Sequence, residues 1–360
     1  MDERARAGMV GPARRTESVI DAKELAGRVL LVIVSTLIAV GCAEVLFRWY
    51  SGETFDRTFP PWTGNLVVVR GAQVFAFKPH ASGVFPGNVD QKRTFPYRTN
   101  AQGLRDRDRP AKAPGTKRVL VIGDSYTWGY AIAEEEAYPQ VAERLLAERG
   151  RRDIEVINGG IPDYNSRQER VLLEKLMAIY QPDAVFLAYV VNDAEPSTAM
   201  PTPPEEVYRH SRSWFLTEVA ERLNRKVFRR RLLPSAKDNV GSDYLDGFEE
   251  GSVKWRDSRE AIRQMRDLCA AAGKPFAILM MPDFTQAFDE RYGLLKIHNA
   301  VASWSRELNI PEFDLLTLLF RGEDHTKWLV PWDGHPNPDA HRRIAAFLVD
   351  KILEDPTLRR

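Results

Sequence analysis

The chain has 360 residues, of which 44% are hydrophobic and 28% charged, the usage of an ordinary folded protein. Lys and Arg number 51 against 50 Asp and Glu, leaving a formal charge of +1. No basic run is interleaved with aromatics and no solenoid period recurs, which argues against nucleic acid as a partner and against a repeat fold.

Residues 1–28 are polar and Arg-rich and read as a cytoplasmic tail. Residues 29–47, "VLLVIVSTLIAVGCAEVLF", carry a single charge, Glu44. As a helix they reach about 28 Å, close to the thickness of a bilayer's hydrocarbon core. Arg28 and the Arg48-Trp49-Tyr50 run flank them like interfacial anchors, and no polar face repeats, so a transmembrane helix is favoured over a buried core helix. Arg4, Arg6, Arg14, Arg15, Lys23 and Arg28 precede the span, whereas only Arg48 and Arg57 follow it closely. That bias predicts a cytoplasmic N-terminus in the inner membrane, with the remainder on the extracytoplasmic, periplasmic side. A cleaved signal peptide fits less well, since no small-x-small site follows the apolar run. A lipoprotein acylated at Cys42 ranks below the anchor, because Ala39 rather than Leu stands three residues before it. Cys42 in the span and Cys269 in a helical stretch cannot pair, and no Cys/His set has zinc spacing, so neither a metal nor another cofactor is expected.

Residues 48–117, rich in Pro, Gly and Arg, read as an extracytoplasmic linker or outer-face segment with short strand-like runs. From residue 118 to about 355 the pattern alternates. Apolar runs at 118–123, 154–158, 184–190 and 276–281, and a weaker one at 309–314, are separated by helical stretches at 137–149, 167–180, 255–272, 292–307 and 338–353. Continuous apolar strands between helices predict a parallel sheet covered on both faces. Residues 196–253 break the rhythm and read as an insertion over the sheet's carboxyl edge.

Ligands of open α/β sheets sit beyond the carboxyl ends of the strands, and chemically capable residues gather there. Ser125 ends the first strand, in "VLVIGDSYTWG"; "NGGIPDYNS", residues 158–166, ends the second; "VVND", residues 190–193, ends the third; "DGHPN", residues 333–337, leads into the last helix. Each residue alone has a plainer reading: Ser125 as a helix cap, Asn158 and Asn192 as turn residues, Asp333 as a cap or turn, His335 as a surface histidine, His341 as helix packing. Together they supply a nucleophile, oxyanion donors and an Asp/His base at one edge.

Those four motifs, in that chain order, resemble the SGNH/GDSL hydrolase superfamily over roughly residues 95–353, and the apolar segment followed by "TNAQGLRDRD" resembles membrane-anchored bacterial members. The resemblance implies a three-layer α/β/α sandwich with a parallel, flavodoxin-like sheet, preceded by one transmembrane helix. It also implies that Ser125 is the nucleophile, His335 the general base and Asp333 the residue that orients it. The Ser125 N–H and the Asn192 side chain are the expected oxyanion donors, aided by the positive end of the helix that follows Ser125. The family's third donor is a Gly in the second motif; that offset holds Asp163 here, with Gly159 and Gly160 as substitutes. Trp128 and Tyr164, inside the motifs, are expected to contact substrate. A single residue, Gly334, separates Asp333 from His335, a spacing similar to that of polysaccharide O-acetyltransferases of the same superfamily. The implied activity is ester hydrolysis, of esterase, lipase or carbohydrate-deacetylase type, on a small-molecule or polysaccharide ester outside the cytoplasm. Acyl transfer to an envelope polysaccharide and a non-catalytic saccharide-binding module are the alternatives; metal-assisted hydrolysis through Asp124, Asp333 and His335 lacks further ligands.

Overall fold

The protein is described by a computed structural model in which residues 22–58, 66–67, 76–86, 92–195, 242–249 and 251–358 are placed. Most of the expected insertion at 196–253 lies outside these residues. Helix α1 spans Ala22–Thr58, longer than the apolar run alone. Its Leu25–Leu46 stretch is long and apolar enough to cross a membrane, and none of its most apolar window is buried against the rest of the protein. Two hydroxyls in this stretch are satisfied within the helix: Ser35 Oγ donates to Leu31 O and Thr36 Oγ1 to Val32 O, each at 2.7 Å. An unpaired hydroxyl in hydrocarbon is thereby avoided.

Two antiparallel pairs follow, β1 (Leu66–Val67) with β2 (Ala76–Phe77), and β3 (Ser82–Pro86) with β4 (Thr94–Arg98). In β4 the alternation of Phe95 and Tyr97 with exposed neighbours turns one face inward. Phe77, Phe85, Phe95 and Tyr97 all join the main hydrophobic core, so this part of the segment before residue 118 is packed onto the domain.

The central sheet has five strands, β5 (Lys117–Gly123), β6 (Ile154–Gly160), β7 (Ala184–Tyr189), β8 (Phe276–Met280) and β9 (Glu312–Asp314). Every pairing is parallel, in the order β6-β5-β7-β8-β9. That is the 2-1-3-4-5 order of flavodoxin-like sheets. Val119 to Ile122 are completely buried, the burial that a strand covered on both faces requires. Helices α2 (Ser125–Trp128), α3 (Tyr138–Glu148), α4 (Ser166–Tyr180), α5 (Ser242–Gly247), α6 (Val253–Ala271), α7 (Leu295–Glu307) and α8 (Pro338–Glu354) complete the domain. The β5–β6 and β6–β7 crossovers run in opposite directions along the sheet. Right-handed connections therefore set α3 and α4 on opposite faces; α3 packs with α8 and α4 with α6, giving the two helical layers of an α/β/α sandwich. The direction reverses between β5 and β7, and this switch point opens a crevice at their carboxyl ends.

Candidate active site

The junction of β5 and α2 decides what Ser125 is available for. Asp124 has the N-cap backbone, with φ −95° and ψ −141°, and its side chain accepts the Tyr126 N–H at 2.9 Å. Asp124 is the cap, which leaves the Ser125 hydroxyl to other partners; its Oγ lies 2.9 Å from His335 Nε2. Helix α2 is only 4 residues long and ends at Gly129, whose left-handed φ of 82° lets its own N–H and that of Tyr130 return to Ser125 O at 3.0 Å. A macrodipole sums aligned peptides, so one turn supplies little of the positive end expected after Ser125, and the local N–H groups matter instead.

Two facing glycines let α2 settle onto the strand ends. Gly123 pairs with Gly160 across β5 and β6. A Cβ on Gly123 would come within 2.2 Å of Thr127 Oγ1, and one on Gly160 within 2.3 Å of Trp128 N. Asn158, fully buried, binds the same junction: Nδ2 donates to Thr127 O at 2.9 Å and to Gln140 Oε1 at 3.2 Å.

The Asp333-Gly334-His335 turn explains how one intervening residue suffices. In extended chain, neighbours two apart share a face but stand well separated. Gly334 instead has φ 97°, a left-handed conformation that suits glycine. Val330 O accepts the N–H groups of Asp333 and Gly334 at 3.0 and 2.7 Å, while Val330 N–H donates to His335 O at 2.7 Å. The folded turn brings Asp333 Oδ1 into hydrogen bond with His335 Nδ1. The carboxylate accepts from Nδ1–H, so the Nε2 lone pair faces the Ser125 hydroxyl. The Asp333 side chain is fully buried and that of His335 is 14% exposed, so the carboxylate is shielded from water while the imidazole keeps an open edge. His341, on the last helix, is completely buried; Tyr138 N–H donates to its Nδ1 at 3.1 Å and the Tyr138 ring stacks on it at 5.8 Å. Burial pushes its pKa down to about 3, so it stays neutral.

Of the expected oxyanion donors, the Asn192 side chain donates from Nδ2 to Oδ2 of Asp124, the residue before Ser125, at 3.4 Å. Gly160 cannot serve, because its N–H is donated to Asn158 Oδ1 at 3.0 Å and its Cα is packed on α2. Asp163 has φ 66°, the left-handed backbone that a glycine would adopt at this place and that Asp tolerates better than most residues. The two expected substrate contacts do not fit: Trp128 is completely buried among Phe77, Phe85, Phe95 and Tyr97, and Tyr164 is 1% exposed. Trp128 ends a single helical turn, and its ring packs in the aromatic core rather than in the crevice.

Several groups escaped the sequence reading. Tyr126 and Tyr130 flank the His335 ring at 5.5 and 4.7 Å. Asp124, Glu169 and Asp193 are buried carboxyls, and among the described residues neither Glu169 oxygen has a hydrogen-bond partner. Burial raises all three, Asp124 to about 6 against the opposing Tyr126 N–H; Glu169 is pushed up further by the nearby Asp124 carboxylate, and Asp193 by those of Glu169 and Asp124. Asp124 and Asp193 were visible inside "GDS" and "VND"; Glu169, on a helix, carried no signal. Among the described residues no set of three or more His, Cys, Asp or Glu is arranged to hold a metal ion.

Residues 121–343 match the model of the GDSL-like lipase/acylhydrolase family. An arylesterase from Vibrio mimicus is 31% identical over 83 residues, 23% of this chain and 41% of that protein, so the chain spans less than half the length of this curated relative. A psychrotrophic esterase from Pseudoalteromonas sp., solved with monoethylphosphonate as inhibitor, aligns with 16% identity over 66% of this chain and 96% of its own, with a TM-score of 0.41. A lipase/acylhydrolase from Enterococcus faecalis aligns with 16% identity over 66% of this chain and 95% of its own, with a TM-score of 0.42.

Proposed function

Because the chain belongs to the GDSL-like lipase/acylhydrolase family, we propose that it hydrolyses esters through an acyl-serine intermediate on Ser125. The observation that carries this reading is the relay Asp333–His335–Ser125, ending in a 2.9 Å contact between a basic nitrogen and a hydroxyl that caps nothing. Ser125 Oγ attacks the ester carbonyl carbon while its proton passes to His335 Nε2. Asp333 holds the ring in the Nδ1–H tautomer and offsets the imidazolium charge. The Ser125 N–H, the Asn192 amide and the Asp163 N–H meet the developing oxyanion. His335 then returns the proton to the leaving alcohol as the C–O bond breaks. Water, deprotonated by the same imidazole, releases the acid and restores Ser125.

The apolar α1 stretch supports anchoring in a membrane, and the basic residues before it support an N-terminus in the cytoplasm with the catalytic domain on the far side. Purified full-length protein should turn over p-nitrophenyl acetate, and Ser125→Ala should fall to the uncatalysed background. Retention of the wild-type rate by Ser125→Ala removes the nucleophile from the mechanism.

A further inference from the structure

Tyr130 lies along the face of His335, with ring centroids 4.7 Å apart and planes inclined by 30°. Tyr126 meets the same imidazole edge-on, at 5.5 Å and 69°. Tyr130 is 8% exposed and wedged between Phe95 at 4.8 Å and Phe85 at 5.1 Å.

The backbone on both sides of Tyr130 is left-handed: Gly129 has φ 82° and Ala131 has φ 65°. Glycine adopts this freely; alanine, with a Cβ, does so against a steric cost and only where its surroundings over-determine it. Arg105 is the restraint. Completely buried, its guanidinium donates to Trp128 O at 3.3 Å, to Gly129 O, to Ile132 O at 2.8 Å and to Pro96 O at 3.3 Å, and it lies 4.5 Å over the Trp128 ring. Among the described residues, every acceptor of this guanidinium is a main-chain carbonyl. A buried cation is expensive, and this one is spent on the loop that carries Tyr130.

We propose that Tyr130 is a positioning residue for His335: strapped down by Arg105 and the Gly129–Ala131 turn, its ring fixes the imidazole plane and stabilises the imidazolium formed as Ser125 gives up its proton. This rests on the assignment of Ser125 and His335 as nucleophile and base. An aromatic face attracts a cation within about 6 Å of its centroid. The neutral imidazole gains little from it and the imidazolium more, so the contact strengthens toward the transition state. Among the described residues, the other groups facing His335 are the Ser125 hydroxyl, Asp333 on its own turn, Asp124 and Tyr126 at the β5–α2 junction, and neutral His341 on α8. Substitution of Tyr130 removes none of these groups.

The test measures p-nitrophenyl acetate turnover by full-length protein from acid to neutral pH. Tyr130→Leu should lower kcat by about tenfold with KM nearly constant, as a loosened base would. Its acid limb should move about half a pH unit lower, since loss of the ring disfavours the protonated imidazole. Tyr130→Phe should restore most of the rate and return the limb to its place. An acid limb unmoved in Tyr130→Leu, or a Phe variant as impaired as the Leu variant, overturns the proposal. Should Tyr130→Leu not fold, fluorinated phenylalanines at position 130 keep the ring's shape while withdrawing its electron density. The limb should then step to lower pH with each added fluorine, and indifference to fluorination overturns the proposal. Failure of the underlying reading shows separately, as wild-type turnover by Ser125→Ala.

Discussion

Around Ser125, single residues divide the labour that their types suggest but do not fix. Two adjacent side chains could cap α2, and Asp124 takes that role because its carboxylate reaches the Tyr126 N–H at 2.9 Å. Ser125 is thereby left facing His335. On the oxyanion side, the place where the family carries Gly holds Asp163 with φ 66°, so the backbone course survives the change of side chain. The account expects Asn192→Ala to slow turnover of an activated ester by about 10²–10³, the usual loss of one such donor. Asp163→Gly should keep or modestly raise kcat, since it relieves left-handed strain and removes a carboxylate from beside the developing anion. Steady-state kinetics on the two variants checks both. A large fall for Asp163→Gly would mean that the side chain, not the N–H, does the work.

Strands and helices were legible wherever burial was two-sided or strongly periodic. β5, β7 and β8 read directly from unbroken apolar runs, and α3, α4, α6 and α8 from their helical spacing, each within a few residues. Local backbone shape was less visible. In "SYTWG" only Gly129 hints that α2 stops after 4 residues, and nothing there announces that Trp128 packs in the core. The β3–β4 pair that packs on Trp128 was missed, since the strand-like runs legible in this segment, 65–70 and 73–78, hold β1 and β2 and the aromatic partners of β3 and β4 lie far along the chain. Gly334 was seen as a spacer; its left-handed φ, which joins Asp333 to His335, has no periodic signature. The two histidines near the last helix separate by packing. His341→Ala opens a void at the α3–α8 contact and should cost about 2–4 kcal/mol of stability while leaving kcat within a few-fold. His335→Ala should lower kcat by orders of magnitude and leave the melting temperature nearly unchanged. Thermal unfolding and turnover on the same preparations check the pair, and the opposite assignment of losses would show that the base is His341.

Across the whole molecule, the buried carboxyls tie stability to pH. Glu169, without a hydrogen-bond partner among the described residues for either oxygen, and Asp124 and Asp193 near it are all raised by burial. The folded state therefore keeps protons that the unfolded chain releases. Their favourable contribution is complete below the ordinary carboxylate range and is lost as pH rises, through about 6 for Asp124 and higher for the other two. Glu169→Gln should raise the melting temperature in mildly alkaline buffer by about 2–4 °C, the response of a domain this size to about 1 kcal/mol. It should change little in acid, where the native Glu is already neutral. Parallel melting curves for both proteins at both extremes would contradict this coupling. The claim that joins all scales is that fold, turn and relay converge on one activated hydroxyl. Covalent labelling of full-length protein with a fluorophosphonate, mapped by peptide mass spectrometry, tests it most directly. The account predicts a single modified residue, Ser125, with labelling abolished in Ser125→Ala and strongly slowed in His335→Ala. Labelling that persists in Ser125→Ala, or that maps to another residue in the wild type, would contradict it.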